Sequence, residues 1–183
     1  MDAFSVGYLN QLFALHSEKQ LHGKWIHLKH ISPLLPRLEK MFSVVSIGQS
    51  EDNNPIYSIK LGNGPKKVLI WSQMHGNEST GTKAMFDLLN CFADSKDRIP
   101  TEILEKCTIT YVPIVNPDGA LLYTRLNSKE IDLNRDAVER KAIESKVLRS
   151  VLEEFEPEFC FNLHDQRTIF GVEGTNNPAS MSF

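Results

Sequence analysis

The chain has 183 residues and a mass of 20.8 kDa, with 41% hydrophobic and 23% charged residues, which suits one domain with a buried core and excludes a disordered chain. Twenty basic residues against 23 acidic ones leave a net charge of −3, so there is no general attraction for nucleic acid or an anionic membrane. No apolar run approaches the roughly 18 residues of a membrane span, the start MDAFSVGYLN puts no basic segment ahead of an apolar one, and Cys91, Cys107 and Cys160 lie far apart among apolar neighbours; the expectation is a cytoplasmic chain with buried, reduced thiols and no disulfide framework.

Residues 1–41 hold four of the six histidines and a helix-like stretch over 32–41, and are read as an N-terminal helical cap segment; residues 42–183 form the main domain. From Phe42 the pattern becomes strand-like. FSVVSIG and PIYSIKL (55–61), with polar residues 49–54 between them, predict a hairpin. Residues 67–74 (KVLIWSQM) are an almost continuous apolar run, the mark of a central strand covered on both faces. Residues 78–92 place Met85, Phe86, Leu88, Leu89 and Phe92 as a helix packed on a sheet would, and 107–114 (CTITYVPI) is a second buried strand. Over 143–155 the apolar positions fall on one helical face; Pro157 ends that helix before a third buried strand, 158–163. Alternating strands and helices predict an α/β three-layer sandwich with a mixed, largely parallel central sheet, and functional residues at the carboxyl ends of its strands.

Polar groups interrupt the pattern at those ends. HGNE (75–78) follows the first buried strand, NPDG (116–119) the second, and His164 with Asp165 the third. His75 and Glu78 are one helical turn apart, so both side chains can face one way, and Gly76 allows a tight turn between them. With His164 they make two imidazoles and a carboxylate, a set that suits a catalytic zinc with its fourth position left to water. Each piece alone is also ordinary loop chemistry; it is their common position that raises the metal reading. Asp165 is a candidate to hydrogen-bond a ligand imidazole or the metal-bound water. Asp118 and Gly119 read as turn residues, His22, His27 and His30 as surface or cap residues, and Trp25 and Trp71 as packing residues.

HGNE, NPDGA (116–120), TRLN (124–127), DLNRD (132–136) and NLHDQ (162–166) stand in one order and spacing, and together they resemble the zinc carboxypeptidase family from about Pro55 onward. The resemblance implies one zinc ion held by His75, Glu78 and His164, Arg125 polarising the scissile carbonyl and steadying the oxyanion, and Asn134 and Arg135 gripping a substrate's terminal carboxylate. It also implies a metallocarboxypeptidase acting on a peptide or acyl-amino acid with a free carboxylate. Arginine suits that grip because its fork meets a carboxylate with two parallel hydrogen bonds; the simpler alternative is a salt bridge from Arg135 to Asp132 or Asp136. Two other readings stand beside it: an aspartoacylase- or desuccinylase-like zinc amidohydrolase, and a non-catalytic module binding zinc and peptide C-termini. The family's general-base glutamate and its tyrosine come well after the third ligand, whereas nineteen residues follow His164 here and Glu173 is the one acidic side chain beyond Asp165. The expectation is therefore the N-terminal part of a longer catalytic domain, with its sheet incomplete at the C-terminus and Glu173 an ordinary loop carboxylate.

Overall fold

The structure is a computed structural model that describes residues 5–94, 97–165 and 172–177. The element order is α1 (Val6–His16), α2 (Leu28–Ile31), a 3-10 turn (Ser32–Leu34), α3 (Leu35–Leu38), β1 (Ser43–Gln49), β2 (Pro55–Leu61), β3 (Lys66–Ser72), α4 (Thr80–Asp94), α5 (Arg98–Lys106), β4 (Cys107–Val112), α6 (Pro117–Leu122), α7 (Ile143–Phe155) and β5 (Phe159–Leu163). The strands form one mixed sheet in the order β1-β2-β4-β3-β5. β3 pairs in parallel with both β4 and β5, while β1–β2 and β2–β4 are antiparallel.

Period-two alternation divides the sheet between two cores. Ile59, Leu61, Ile109 and Tyr111 face one side, where they meet Met85, Phe86 and Leu89 of α4 and Ile26, Ile31, Leu34, Leu35 and Leu38 of the N-terminal segment. Ile56, Trp71 and Val112 face the other, against Val147 and Leu148 of α7 and against Met74, Leu133 and Ala142. Helices thus cover both faces, and the loops leaving the parallel strands β3, β4 and β5 emerge together at one end. None of the described helices is long and apolar enough to cross a membrane.

Several local expectations differ from the structure. The helical stretch expected at 32–41 runs instead from 28 to 38 and is broken into α2, a 3-10 turn and α3, because Pro33 and Pro36 lack the amide that continuous α-helix needs. NPDG begins α6: the Asn116 side chain accepts from the Gly119 amide at 2.8 Å and Pro117 occupies the first turn. The strand after Pro157 is exposed, with Phe159 and Phe161 each about half accessible, since β5 has no neighbour beyond β3 among the described residues. Cys160 on that strand is exposed and Cys107 half-buried; only Cys91 is a buried thiol. Trp25 is exposed, although its indole nitrogen donates to the carbonyls of Ala120 and Leu121.

Candidate metal centre

β3 ends at Ser72, and the chain then turns through residues 73–79 into α4, carrying His75 and Glu78 at the turn. That turn lies against the start of α6. A Cβ on Gly76 would stand 2.0 Å from the carbonyl carbon of Gly119, and one on Gly119 would stand 2.5 Å from the Leu126 carbonyl oxygen. The glycines of HGNE and NPDG are therefore required by close backbone approach, and Gly76 has no left-handed backbone to explain it. The amide of Asn77 donates to the carbonyl of Thr124 at 3.1 Å, which brings TRLN beside the turn. Asp118 is buried and accepts from Ser50, Asn54, Ser128 and the Asp52 amide, a structural knot that supports α6.

His75 and Glu78 are buried, 2% and 6% exposed, and His164 lies at the rim just beyond β5. One donor atom from each lies within 4.8 Å of the others. His164 Nδ1 is 2.8 Å from Glu78 Oε2, and the two imidazole rings are 4.7 Å apart between centroids. His75 Nε2 faces Asp132 Oδ1 at 3.1 Å, while His75 Nδ1 lies 3.0 Å from Glu78 Oε1 without hydrogen-bond alignment and has no partner among the described residues. An imidazole that gives its Nε2 proton to a carboxylate presents a lone pair at Nδ1. With Nε2–H assigned to Asp132, that lone pair and the edge of the Glu78 carboxylate face each other at 3.0 Å, an arrangement a shared metal ion satisfies. The donor set, two imidazoles and a carboxylate with an outer carboxylate orienting one ring, fits zinc.

Arg125 completes the charge balance. Its Nε is 3.1 Å from Asp132 Oδ2 and its Nη1 3.5 Å from Glu78 Oε1. Burial pushes the Glu78 carboxyl up, but the hydrogen bond from His164, the nearby His75 ring and the Asp165 amide together hold it well below the usual carboxylate range. Asp132 is likewise lowered: burial opposes this, and the His75 hydrogen bond and the Arg125 guanidinium outweigh it.

The orienting carboxylate differs from the one expected. Asp165 does not meet a ligand ring; its side chain accepts from the amide and hydroxyl of Thr80 at 3.0 Å each, bracing the start of α4, and only its own amide reaches Glu78, at 3.3 Å. Asp132 holds the ring instead. The sequence placed it only as a partner for Arg135, and its position at the head of DLNRD, two residues before Asn134, was the available signal. The Arg135 side chain is exposed and forms no hydrogen bond or ion pair among the described residues, its amide donates to the Asp132 carbonyl at 2.9 Å, and Asp136 is turned onto the amides of Lys141 and Ala142. Asn134 is half-buried, its amide on Asp132 Oδ1 and its side-chain oxygen 3.4 Å from Asn162 Nδ2. Glu173 lies exposed in a turn closed by Val172 and Asn177.

The zinc carboxypeptidase family profile matches residues 30–163 of the sequence. The chain belongs to this family. Among curated relatives, carboxypeptidase SOL1 of Arabidopsis thaliana is 28% identical over 116 residues, 59% of this chain and 24% of that protein. Carboxypeptidase 2 of Trichophyton rubrum is 28% identical over 102 residues, 55% of this chain and 19% of that one. The zinc carboxypeptidase-family chain thus spans about a quarter or less of the length of these relatives. Of the solved structures, the metallo-carboxypeptidase of Burkholderia cenocepacia superposes with a TM-score of 0.70 at 22% identity, covering 75% of this chain and 40% of that one. The Pseudomonas aeruginosa metallo-carboxypeptidase, solved with (2-guanidinoethylmercapto)succinic acid, gives 0.69 at 23% identity, covering 75% and 39%. These likenesses establish the fold, a mixed five-stranded sheet with flanking helices that forms part of the carboxypeptidase domain. The family profile places the chain with zinc carboxypeptidases, and the aspartoacylase-like alternative is not favoured.

Proposed function

We propose that the chain supplies the zinc-binding and carboxylate-gripping part of a metallocarboxypeptidase site. His75, Glu78 and His164 hold one zinc ion, and Asp132 fixes the tautomer of His75 so that Nδ1 faces the metal. Bound there, zinc supplies an activated water and polarises a carbonyl. Arg125, held by Asp132 at the edge of the cluster, presents its remaining N–H groups to the scissile carbonyl and steadies the oxyanion. Asn134 and Arg135 bind the terminal carboxylate of a peptide, and the absence of a partner on Arg135 among the described residues leaves its fork available for the paired contact. The carboxylates joined to the cluster are all engaged: Glu78 with both imidazoles, Asp132 with His75 and Arg125, Asp165 with Thr80. The proton acceptor for the water is a carboxylate outside this group.

The observation that carries the reading is the buried Nδ1 of His75, lacking a hydrogen-bond partner beside Glu78 and His164 in a chain of this family. Binding of a short peptide to the zinc-loaded chain, as free acid and as C-terminal amide, tests it. The free acid is expected to bind more tightly by the roughly 1.5 to 3 kcal/mol of a charge-assisted contact, with the preference lost in Arg135→Ala and any release of the terminal residue stopped by chelation. Equal binding of acid and amide contradicts the assignment.

A further inference from the structure

The turn that carries two of the proposed ligands is tied to the N-terminal segment by hydrogen bonds on both sides of it. Gln73, the first residue after β3, is fully buried and holds a left-handed backbone, φ +47°, unusual for a residue with a side chain. Its side-chain amide is used at both ends. Nε2 donates to the Gly76 carbonyl at 2.8 Å and the Ile26 carbonyl at 2.9 Å, and Oε1 accepts from Thr82 Oγ1 at 2.8 Å. On the far side of the turn, Ser79 Oγ donates to the Lys24 carbonyl at 2.6 Å. Lys83 Nζ reaches the Gly23 carbonyl at 2.8 Å, and the Trp25 indole pins the same strap to α6.

We infer that Gln73 is a positioning residue for the metal centre, clamping the turn between His75 and Glu78 to a strap formed by residues 23–26. This rests on the zinc site proposed above. Gly76 lies between the two ligands, and its carbonyl has a fixed donor in the Gln73 amide. Without that donor the carbonyl is left buried and unpaired, and the turn loses the contact that joins it to Ile26, whose own side chain is buried in the core. The strap supplies only backbone carbonyls to Gln73, Ser79 and Lys83, so its grip depends on its path through residues 23–26. The left-handed backbone follows from the same role, because it lets one side chain reach back to residue 26 and forward to residue 76.

Zinc affinity, read by competition with a chromophoric chelator, and the visible absorption of the cobalt-substituted chain test this together with thermal melting. Gln73→Gly relieves the backbone at this position but deletes the amide, so a purely structural role predicts little loss of affinity once folding is shown by the melt. The positioning role predicts a 10- to 100-fold weaker zinc complex, the range typical of groups that orient ligands, and an altered cobalt spectrum. Gln73→Glu keeps an acceptor for Thr82 but loses both donations, and is expected to resemble the glycine variant. Ser79→Ala, which cuts the strap on the other side, is expected to weaken zinc in the same direction. A wild-type chain that takes zinc while Gln73→Gly and Ser79→Ala take it with the same affinity and the same cobalt spectrum overturns the inference alone. A wild-type chain that takes no zinc overturns the metal site and this inference with it.

Discussion

His75 and Glu78 leave β3, a strand paired on both sides, whereas His164 leaves β5, whose outer edge has no strand among the described residues and whose apolar side chains are half exposed. The inner pair is set by packing that needs no metal: Gly76 against Gly119, the Asn77 amide on Thr124, and Asp132 on the far nitrogen of His75. The outer ligand is held chiefly by the site, through Glu78 and through the brace of Asp165 on Thr80. Two of the proposed ligands are thus preorganised by the core, and the third depends on contacts that reach back to them.

The strongest way to break this contrast is to fill the space between the two glycine motifs. Gly76→Ala puts a methyl group 2.0 Å from backbone, which has no flexible end to move aside, and is expected to cost about 3 kcal/mol, the upper end of overpacking. Gly81→Ala, at the junction of α4 with β5, meets the Leu163 Cβ at 2.7 Å and is expected to cost clearly less because β5, paired on one side only among the described residues, can shift away from α4. Chemical denaturation of the two variants checks the order; equal losses would remove the distinction between a rigid inner and a yielding outer half.

Exchanging the roles of two carboxylates sharpens it further. Asp132→Ala is expected to weaken zinc binding 10- to 100-fold by freeing the His75 ring. Asp165→Ala is expected to cost about 1 kcal/mol of fold stability through the first turn of α4, with a smaller change in zinc affinity, because only the Asp165 backbone touches Glu78. Titration with zinc and a thermal melt on each variant separate the two effects, and an equal loss of affinity in both contradicts the assignment of Asp132.

A smaller effect lies where the inner half meets the N-terminal segment. Burial raises the Glu18 carboxyl, but the Gln20 amide, Asn90 and Arg37 outweigh it and hold it below its ordinary value of 4.5. A carboxylate lowered in the folded state adds stability above its unfolded value, and that stability is lost as pH falls through the folded one. The melting temperature of the wild type should therefore exceed that of Glu18→Gln near neutrality, with the gap closing below about pH 4. A gap that stays constant over this range would show that Glu18 acts through packing alone.

The strands and the gathering of His75, Glu78 and His164 were legible because burial writes itself as apolar runs and because HGNE and NLHDQ sit at strand ends. The hidden parts were those decided by contact between distant segments. Gly76 and Gly119 look like two independent turns in sequence, and only the fold shows that a side chain on Gly76 would meet the Gly119 backbone and one on Gly119 would meet Asn116 and the Leu126 carbonyl. Asp132 and Asp165 are each near a site residue in sequence, and which of them faces a ring depends on how the 124–134 loop returns over the turn. The exposure of β5 was hidden for a related reason: FCFNL is apolar enough for a central strand, and only its place in the sheet order makes it an edge.

The central claim is that His75, Glu78 and His164 form one zinc site whose inner pair dominates, and zinc content with affinity, measured on protein purified without chelator, tests it most directly. The account predicts about one zinc per chain, near-complete loss in His75→Ala, marked weakening in Glu78→Gln, and a weaker but measurable complex in His164→Ala. Stoichiometry near zero in the wild type, or stoichiometry unchanged by His75→Ala, would contradict it.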